Sequence, residues 1–380
     1  MTTSFKKKTT RGRPNLPTGT KPSLNNNQLL ISTGIPSLDS LLSGGLAVGT
    51  LMLIEEDVYY SYANIMQKMF LAEGVTCDHY LFLASANQNP NDIIKEIPTN
   101  VNETESPTKE SSKKATEEGL QIAWRYQNKP KVTSTASTSQ FGHYFDLSQT
   151  LSEEKRSKVQ FASFTPEFED KISLYRTKKS MNTFYKKLLR SIKNTIDRKG
   201  LSTENSTVIP PILRISISSL GSPFWKESML SSDEYDSSLA WFLLSLKSLL
   251  RRSYASCLVT VPAHLIQDES YINRLEHCCD TVIRLESFAG SEKEQNPLYK
   301  EYHGLFHLKK HAKLNCICGQ NIDTSDLAFK LRRKKFVIEK LHLPPDISET
   351  ASRSQGNTSS VKPTTPLCNM TTPVNNVLDF

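Results

Sequence analysis

The sequence predicts an α/β protein with a central, mostly parallel β-sheet flanked by helices. The first sign is an apolar run at residues 50–54, then Ile65, Met66, Met69 and Phe70 at helical spacing, then a second apolar run at residues 80–84. Strand, helix and strand within about forty residues make a βαβ unit, which pairs its strands in parallel. The second sign is the return of strand-like stretches at residues 212–217, 257–261 and 280–285. The third is that helical patterns separate them. Residues 181–197 place Phe184, Leu188, Leu189, Ile192 and Ile196 on one face, opposite Lys186, Lys187, Arg190 and Lys193. Residues 239–250 are apolar almost all round, which predicts a deeply buried helix capped by Asp236 or Ser237.

Composition narrows the class. A chain of 380 residues has room for a sizeable core. A hydrophobic content of 37% with a mean hydropathy of -0.43 points to a globular body diluted by polar segments. The net charge of +8 is uneven: residues 1–26 carry Lys6, Lys7, Lys8, Arg11, Arg13 and Lys21 without an acid. The body is therefore near neutral, which argues against a globally basic nucleic-acid binder. Seven scattered cysteines, no apolar leader and no long apolar run argue for a soluble chain with reduced thiols and no membrane span. The expected location is cytoplasmic with some nuclear presence, since Lys6–Lys8 with Arg11 and Arg13 suit a nuclear signal.

In chain order, residues 1–26 read as a disordered basic arm, 27–345 as the folded domain and 346–380 as a disordered tail. Within the domain, a flexible insertion is expected over about 88–140, because residues 100–118 are Glu, Lys, Ser, Thr and Pro with little to bury. Two aromatic islands, Ile122 to Tyr126 and Phe141 to Leu147, read as loop segments packed on their own domain. Gly74 is the expected stop of the first long helix. A further helix is expected over 268–277, and strands over 302–308 and 336–341, the last two as a hairpin around a longer loop.

The stretch Ser32-Thr33-Gly34, Leu38-Asp39, Gly44-Gly45 and Gly49, leading into the first core strand, resembles the start of RecA-like ATPase domains. A phosphate loop should follow that strand. It needs glycines so that backbone N–H groups can approach the phosphates, a lysine for charge, and a hydroxyl for magnesium. Here Glu56, Tyr59 and Ser61 stand at the glycine positions, Tyr62 at the lysine and Ala63 at the hydroxyl. Glu55, Glu56 and Asp57 would repel a triphosphate, and Tyr59, Tyr60 and Tyr62 add bulk where bare backbone should lie. Ser218 follows the strand that in active P-loop enzymes ends on the magnesium-holding aspartate. The nucleotide machinery is thus missing in two separate places.

Other constellations carry less. His303, His307, His311, Cys316 and Cys318 invite a metal reading, but on a strand His303 and His307 lie roughly 13 Å apart, so no metal is expected. A triad from Ser222, His264 and Asp268 lacks a nucleophile elbow, and no catalytic residue is assigned. Lys330, Arg332, Arg333, Lys334 and Lys335 form the densest basic cluster of the body. If RNA is bound, Lys309, Lys310, Arg332, Arg333, Lys334 and Lys335, with the basic helix face, are the candidate phosphate contacts.

Six stretches together resemble the PAXNEB family, that of the fourth Elongator subunit. They are Ser32–Gly34, Ile122 to Tyr126, Phe141 to Asp146, Ser219-Leu220-Gly221-Ser222-Pro223, Tyr302-His303-Gly304-Leu305, and Arg333 through Lys340-Leu341-His342-Leu343-Pro344-Pro345. The resemblance implies a RecA-like fold without an intact phosphate loop. It also implies a hetero-hexameric ring with the fifth and sixth Elongator subunits, partnered with the catalytic core subunits. Such rings bind tRNA in support of 5-carboxymethyl-type modification of the wobble uridine, with ATP acting at the level of the ring and no cofactor in this chain. Two other readings compete: an active RecA-like ATPase in which Glu55, Glu56 or Asp57 holds magnesium, and, on fold alone, a DNA-repair recombinase relative.

Overall fold

The first βαβ unit forms where the apolar spacing places it. In the computed structural model, which describes residues 16–23, 26–101, 141–166, 181–204, 210–225, 237–315, 326–332 and 335–341, the chain opens with three short strands and a helix. These are β1 (Thr20–Pro22), β2 (Leu29–Ile31), α1 (Pro36–Leu41) and β3 (Leu46–Ala47). Then come β4 (Leu51–Glu55), α2 (Ser61–Thr76), β5 (Tyr80–Ala84), α3 (Pro90–Lys95) and β6 (Pro98–Asn100). After the undescribed residues 102–140 follow β7 (Phe145–Thr150), α4 (Glu153–Lys158), β8 (Phe161–Phe164), α5 (Thr183–Arg198) and β9 (Leu213–Ile217). The last part holds α6 (Ser238–Leu250), β10 (Ala255–Val261), α7 (Glu269–Cys278), β11 (Thr281–Ser287), β12 (Gly304–Lys310), β13 (Leu327–Arg332) and β14 (Lys335–Lys340).

Nine strands form one sheet in the order β14-β13-β12-β11-β4-β10-β9-β5-β8. From β8 to β11 every neighbouring pair is parallel, and β12, β13 and β14 extend the sheet antiparallel. Alternation along β4 sends Leu51 and Leu53 to one face and Met52 and Ile54 to the other. The first face is covered by α5 and α6, through Leu188, Ile192, Phe242 and Leu246; the second by α1 and α2, through Leu38, Met66 and Phe70. Burying both faces supplies the main stabilisation, at about 25 cal/mol per Å² of apolar surface. This is the RecA-like α/β arrangement expected, with β4 in the interior of the sheet and its C-terminal end facing the loop before α2. All described residues fall in the unit that ends at Leu341.

Several boundaries differ from expectation. Part of the basic arm is structured, since Thr20–Pro22 pairs antiparallel with Leu29–Ile31. The insertion starts later than residue 88: α3 is capped by Asn89 accepting from Asn91 N–H, and Ile93, Ile94 and Ile97 are buried. Gly74 does not end α2; it lies inside the helix, where a Cβ would come within 2.7 Å of the Arg214 side chain. The Ser237 side chain makes no capping bond to α6. Strands β12 and β14 do not pair with each other, because β13 lies between them. Its Lys330 suggests a solvated edge, yet the side chain is buried against Glu339 on β14. No described helix is long and apolar enough to cross a membrane. The Ile122–Tyr126 island and residues 346–380 lie outside the described residues.

Candidate functional site

In parallel sheets ligands gather at the C-terminal ends of the strands. That end of β4 leads through residues 56–60 into α2. Tyr60, in left-handed conformation (φ 57°), turns the chain into the helix but provides no side-chain cap. Helix N-termini leave backbone N–H groups without partners and carry a partial positive charge, the usual seat of a phosphate. Here Asp57 sits there. Its Oδ2 accepts from Ser61 N–H at 2.9 Å, and its Oδ1 from Tyr62 and Ala63 N–H, both at 3.0 Å. The carboxylate is 1% exposed, so the anion on those amides belongs to the chain itself.

The three tyrosines part company. Tyr60 packs inward: its hydroxyl donates to Gln67 Oε1 at 2.6 Å, and burial pushes its pKa up to about 12. Gln67 Nε2 donates in turn to Ser216 and Ser218 Oγ, at 2.7 and 2.9 Å. Ser218, placed where the magnesium aspartate would be, is thus bound into an internal neutral network. Tyr59 points outward, and Tyr62 packs its ring 4.6 Å from that of Phe329. Tyr60 adds bulk at the site as expected, whereas Tyr59 and Tyr62 turn away from it, which corrects the expectation for those two.

The neighbouring acids also separate. Glu55 is buried against Lys309 Nζ at 2.9 Å, and the same ammonium reaches Glu276 at 2.6 Å. Glu56 is buried beside Thr260 and Ser219, and burial raises its pKa. A cavity of about 200 Å³ opens beside Glu55 and Glu56, bordered by Ala263, Glu269 and Arg284. A larger cavity, about 420 Å³, lies at the opposite end of the strands by Tyr80, Lys155 and Lys199.

The second polar cluster gathers along the C-terminal half of α2. Ser32 Oγ and Thr33 Oγ1 donate to Asp39, and Thr33 N–H donates to Asp39 Oδ1 at 2.8 Å. Gly34 (φ +84°) is required between them, because a Cβ there would lie 2.3 Å from Met69 O. Burial pushes Asp39 up to about 6 despite those hydrogen bonds. Arg214, fully buried on β9, donates to Ser32 O at 2.8 Å, Phe70 O at 3.1 Å and His79 Nδ1 at 2.9 Å. Burial, then the Arg214 charge, drives His79 down to about 3. Across the helix, Glu73 accepts from His143 N–H at 3.1 Å and meets its Nδ1 at 3.1 Å. Burial raises Glu73, but the His143 hydrogen bond and the Arg214 charge outweigh it and hold the pKa below the usual range. The Ser32–Gly34 and Phe141–His143 motifs, over a hundred residues apart, therefore meet in space.

Glu73, Cys77 and His143 place one ligand atom each within 4.8 Å of one another, a grouping that sequence reasoning missed. Burial, then Glu73, pushes the Cys77 thiol up to about 12, so a metal would have to displace a tightly held proton beside the Arg214 charge. Of the histidines singled out from sequence, His307 Nε2 lies 3.2 Å from Glu286, His303 Nδ1 accepts from Leu331 N–H at 3.3 Å, and His311 Nδ1 is buried without a hydrogen-bond partner among the described residues. Cys316 and Cys318 lie outside the described residues.

Of the candidate RNA contacts, Lys309 is held by Glu55 and Glu276, and Lys310 donates to the Glu276, His277 and Cys279 carbonyls at the end of α7. Both ammonium groups are engaged within the chain, and Lys310 sits at a helix C-terminus, where a cation is stabilising. Arg332 is exposed, and Lys335 lies 4.5 Å from the Tyr144 ring centroid. Arg333 and Lys334 lie outside the described residues.

Sheet order, the strand-loop-helix step after β4 and the site at its end define a RecA-like α/β protein whose helix N-terminus is occupied from within. Within that class the chain belongs to the PAXNEB protein family, whose model matches residues 13–368. It is 46% identical to Elongator complex protein 4 of Xenopus laevis, covering 93% of this chain and 88% of that one. The human Elongator complex protein 4 is 42% identical over 95% of this chain and 88% of its own length. The protein of that name from Saccharomyces cerevisiae is 24% identical over 92% and 81%. Among solved structures, a KaiC-like protein of Pyrococcus horikoshii is similar at 14% identity and a TM-score of 0.41, over 82% of this chain and 98% of that one.

Proposed function

We propose that this chain is a non-catalytic accessory subunit of Elongator. It assembles with the fifth and sixth subunits into a hetero-hexameric RecA-like ring that binds tRNA and supports 5-carboxymethyl-type modification of the wobble uridine. The observation that carries the non-catalytic part is Asp57 on the amides of Ser61, Tyr62 and Ala63. A phosphate would have to displace that carboxylate and sit beside Glu56, and no lysine lies between Glu55 and Asn64 to offset the repulsion. The ATPase alternative fares worse still for magnesium, because Asp57 is committed to the helix and Glu55 to Lys309. Membership of the family whose relatives bear the Elongator name supports the complex, and a RecA-like sheet offers two unlike flanks for head-to-tail ring closure.

Arg332 and Lys335, with the exposed basic face of α5, are the remaining described candidates for phosphate contact. The working location is the cytoplasm with a nuclear share, which fractionation of cells carrying a tagged chain tests. The central test is native mass determination of the purified chain alone and mixed with the fifth and sixth subunits, followed by tRNA binding at two salt concentrations. A hexameric mass only in the mixture, with salt-sensitive tRNA binding and no ATP hydrolysis by the chain alone, is expected. A chain that ignores both partners and hydrolyses ATP by itself overturns the reading.

A further inference from the structure

Glu73, in the last turn of α2, and Cys77, which caps it, stand four residues apart. The Cys77 N–H donates to the Glu73 carbonyl at 3.1 Å, continuing the helical pattern, so the two side chains share one face. His143, from the loop before β7, meets that face with Nδ1 3.1 Å from Glu73 Oε1, and Cys77 Sγ lies 3.4 Å from the same oxygen. Sγ and Nδ1 close the triangle within 4.8 Å. A tetrahedral zinc site with one thiolate, one imidazole and one carboxylate spaces its ligand atoms about 3.3–3.6 Å apart. Both edges that meet at Oε1 come within a few tenths of an ångström of that spacing. Among the described residues no other three such side chains come together.

The surroundings suit a cation. Above pH 6 both Glu73 and Asp39 are negative and Arg214 is positive, so with a neutral imidazole the buried cluster keeps one net negative charge. A zinc ion with the Cys77 thiolate adds one positive charge and brings that sum to zero. The Arg214 charge is thus already offset before the ion arrives. Backbone closes tightly over the ligands: a Cβ at Gly19 would collide with Cys77 Sγ, and one at Gly34 would lie 3.3 Å from Glu73 Cβ. Both glycines have positive φ, +65° and +84°, which lets the chain approach so closely. The way in is past His143, whose side chain is 16% exposed against 1% for Glu73. Buried ligands with one open side provide the entry path that a metal site requires.

We propose that Glu73 Oε1, Cys77 Sγ and His143 Nδ1 bind one zinc ion, with the fourth position open to water. Thiolate and imidazole select zinc over magnesium and calcium, which take oxygen ligands. On binding, the thiol proton leaves to solvent, and the neutral His143 ring carries its proton on Nε2 so that Nδ1 presents a lone pair. The hydrogen bonds that join the three side chains are exchanged for bonds to the metal. The backbone N–H of His143 keeps Glu73 Oε2, its partner at 3.1 Å. The tightly held thiol proton sets the affinity below that of a site with a ready thiolate. Bound zinc fastens the Phe141–His143 motif to α2, a role that needs no partner subunit and stands apart from the ring reading.

The test is titration of the purified full chain, stripped with chelator, with zinc chloride and separately with cobalt(II), beside Cys77→Ala and His143→Ala. The wild type is expected to take up one zinc ion, and cobalt(II) in its place should show the charge-transfer absorption of a thiolate ligand. Each variant should weaken zinc binding roughly a hundredfold, and Cys77→Ala should abolish the charge-transfer band. Saturating zinc should raise the thermal midpoint of the wild type and slow hydrogen exchange at the His143 and Tyr144 amides, with neither effect in Cys77→Ala. A wild type that takes up no zinc at micromolar concentration overturns the proposal. So does a cobalt spectrum without the band, or uptake that survives in both variants and is lost in Cys316→Ala. Should Cys77→Ala not fold, His143→Ala and the wild-type cobalt spectrum and exchange decide.

Discussion

The two ends of α2 treat buried charge in opposite ways. Along its C-terminal half, Glu73 faces Arg214 from β9 and His143 from the loop before β7, and Arg214 reaches on to Ser32 and His79. Positive and negative groups from four separate stretches answer one another there, leaving only one Arg214 nitrogen without a partner. At the N-terminal end no described cation pairs with Asp57 or Glu56. Backbone amides satisfy Asp57, hydroxyls and an amide satisfy one another around Gln67, and Glu56 is left over. The first arrangement locks segments together; the second leaves one buried carboxylate oxygen without a partner among the described residues. Buried polar groups that are mutually paired cement a fold, whereas one left unpaired marks a place for something else.

The contrast breaks first at Arg214. Removing one partner of a buried ionic network strands the others, so Arg214→Met is expected to destabilise by about 3–5 kcal/mol, read from urea unfolding. A loss under about 1 kcal/mol would mean that the cluster is not the cement claimed.

Acid should act next, through the same cluster. His79 is held at about 3 against an ordinary 6.5, so below pH 6.5 the unfolded chain binds more protons than the folded one. Stability is therefore fully present above pH 6.5 and is lost as pH falls towards 3. The loss amounts to a few kcal/mol, since each tenfold difference in proton affinity between the two states is worth about 1.4 kcal/mol. Glu73, held low, adds to the loss in acid. Asp39, raised to about 6 from 3.8, has the opposite sign, because its contribution is lost as pH rises through 6. His79→Gln should flatten the acid limb of a stability–pH curve, and Asp39→Asn should steepen it; parallel curves for all three would refute the assignment.

Lys309 and Arg332 sharpen the comparison at the sheet. Lys309→Ala leaves Glu55 buried without its nearest cation and should cost roughly 1–3 kcal/mol. Arg332→Ala, on an exposed position, should stay within about 0.5 kcal/mol while weakening tRNA binding by the ring. If Lys309→Ala is the neutral one, Lys309 returns as an RNA contact. The smallest stability effect among the internal groups is expected at Asp57. Asp57→Ala exposes three helix amides and should lower stability by about 1–2 kcal/mol. Appearance of phosphate binding in that variant would show that the side chain alone keeps the site closed.

The fold was readable because its signals are local. The 3.6-residue spacing of Phe184, Leu188 and Ile192, and the short apolar runs of β4, β5, β9 and β10, reflect burial on one or both faces. Elements whose logic is long-range were missed. Strand β13 does alternate Leu327, Phe329 and Leu331, but the buried Lys330 looks solvated until Glu339 is seen opposite it on β14. Strands β1 and β8 are short edges without a distinctive composition. At the candidate site, the residue types between β4 and α2, with neither glycine nor lysine from Glu55 to Asn64, were legible residue by residue. The Glu73–Cys77–His143 grouping was not, since its members come together only when the loop before β7 folds back on α2.

The sequence alone determined the apolar segments of the core, the residue types that stand between β4 and α2, and the family. What only the tertiary structure decided is the fate of three consecutive acids. On paper Glu55, Glu56 and Asp57 are alike, all repelling a triphosphate. In the fold, Glu55 turns to Lys309, 254 residues away, Asp57 turns under the first turn of α2, and Glu56 is left facing a cavity. The reason is geometric: successive side chains at a strand end point in different directions, and what each meets is set by elements distant in the chain.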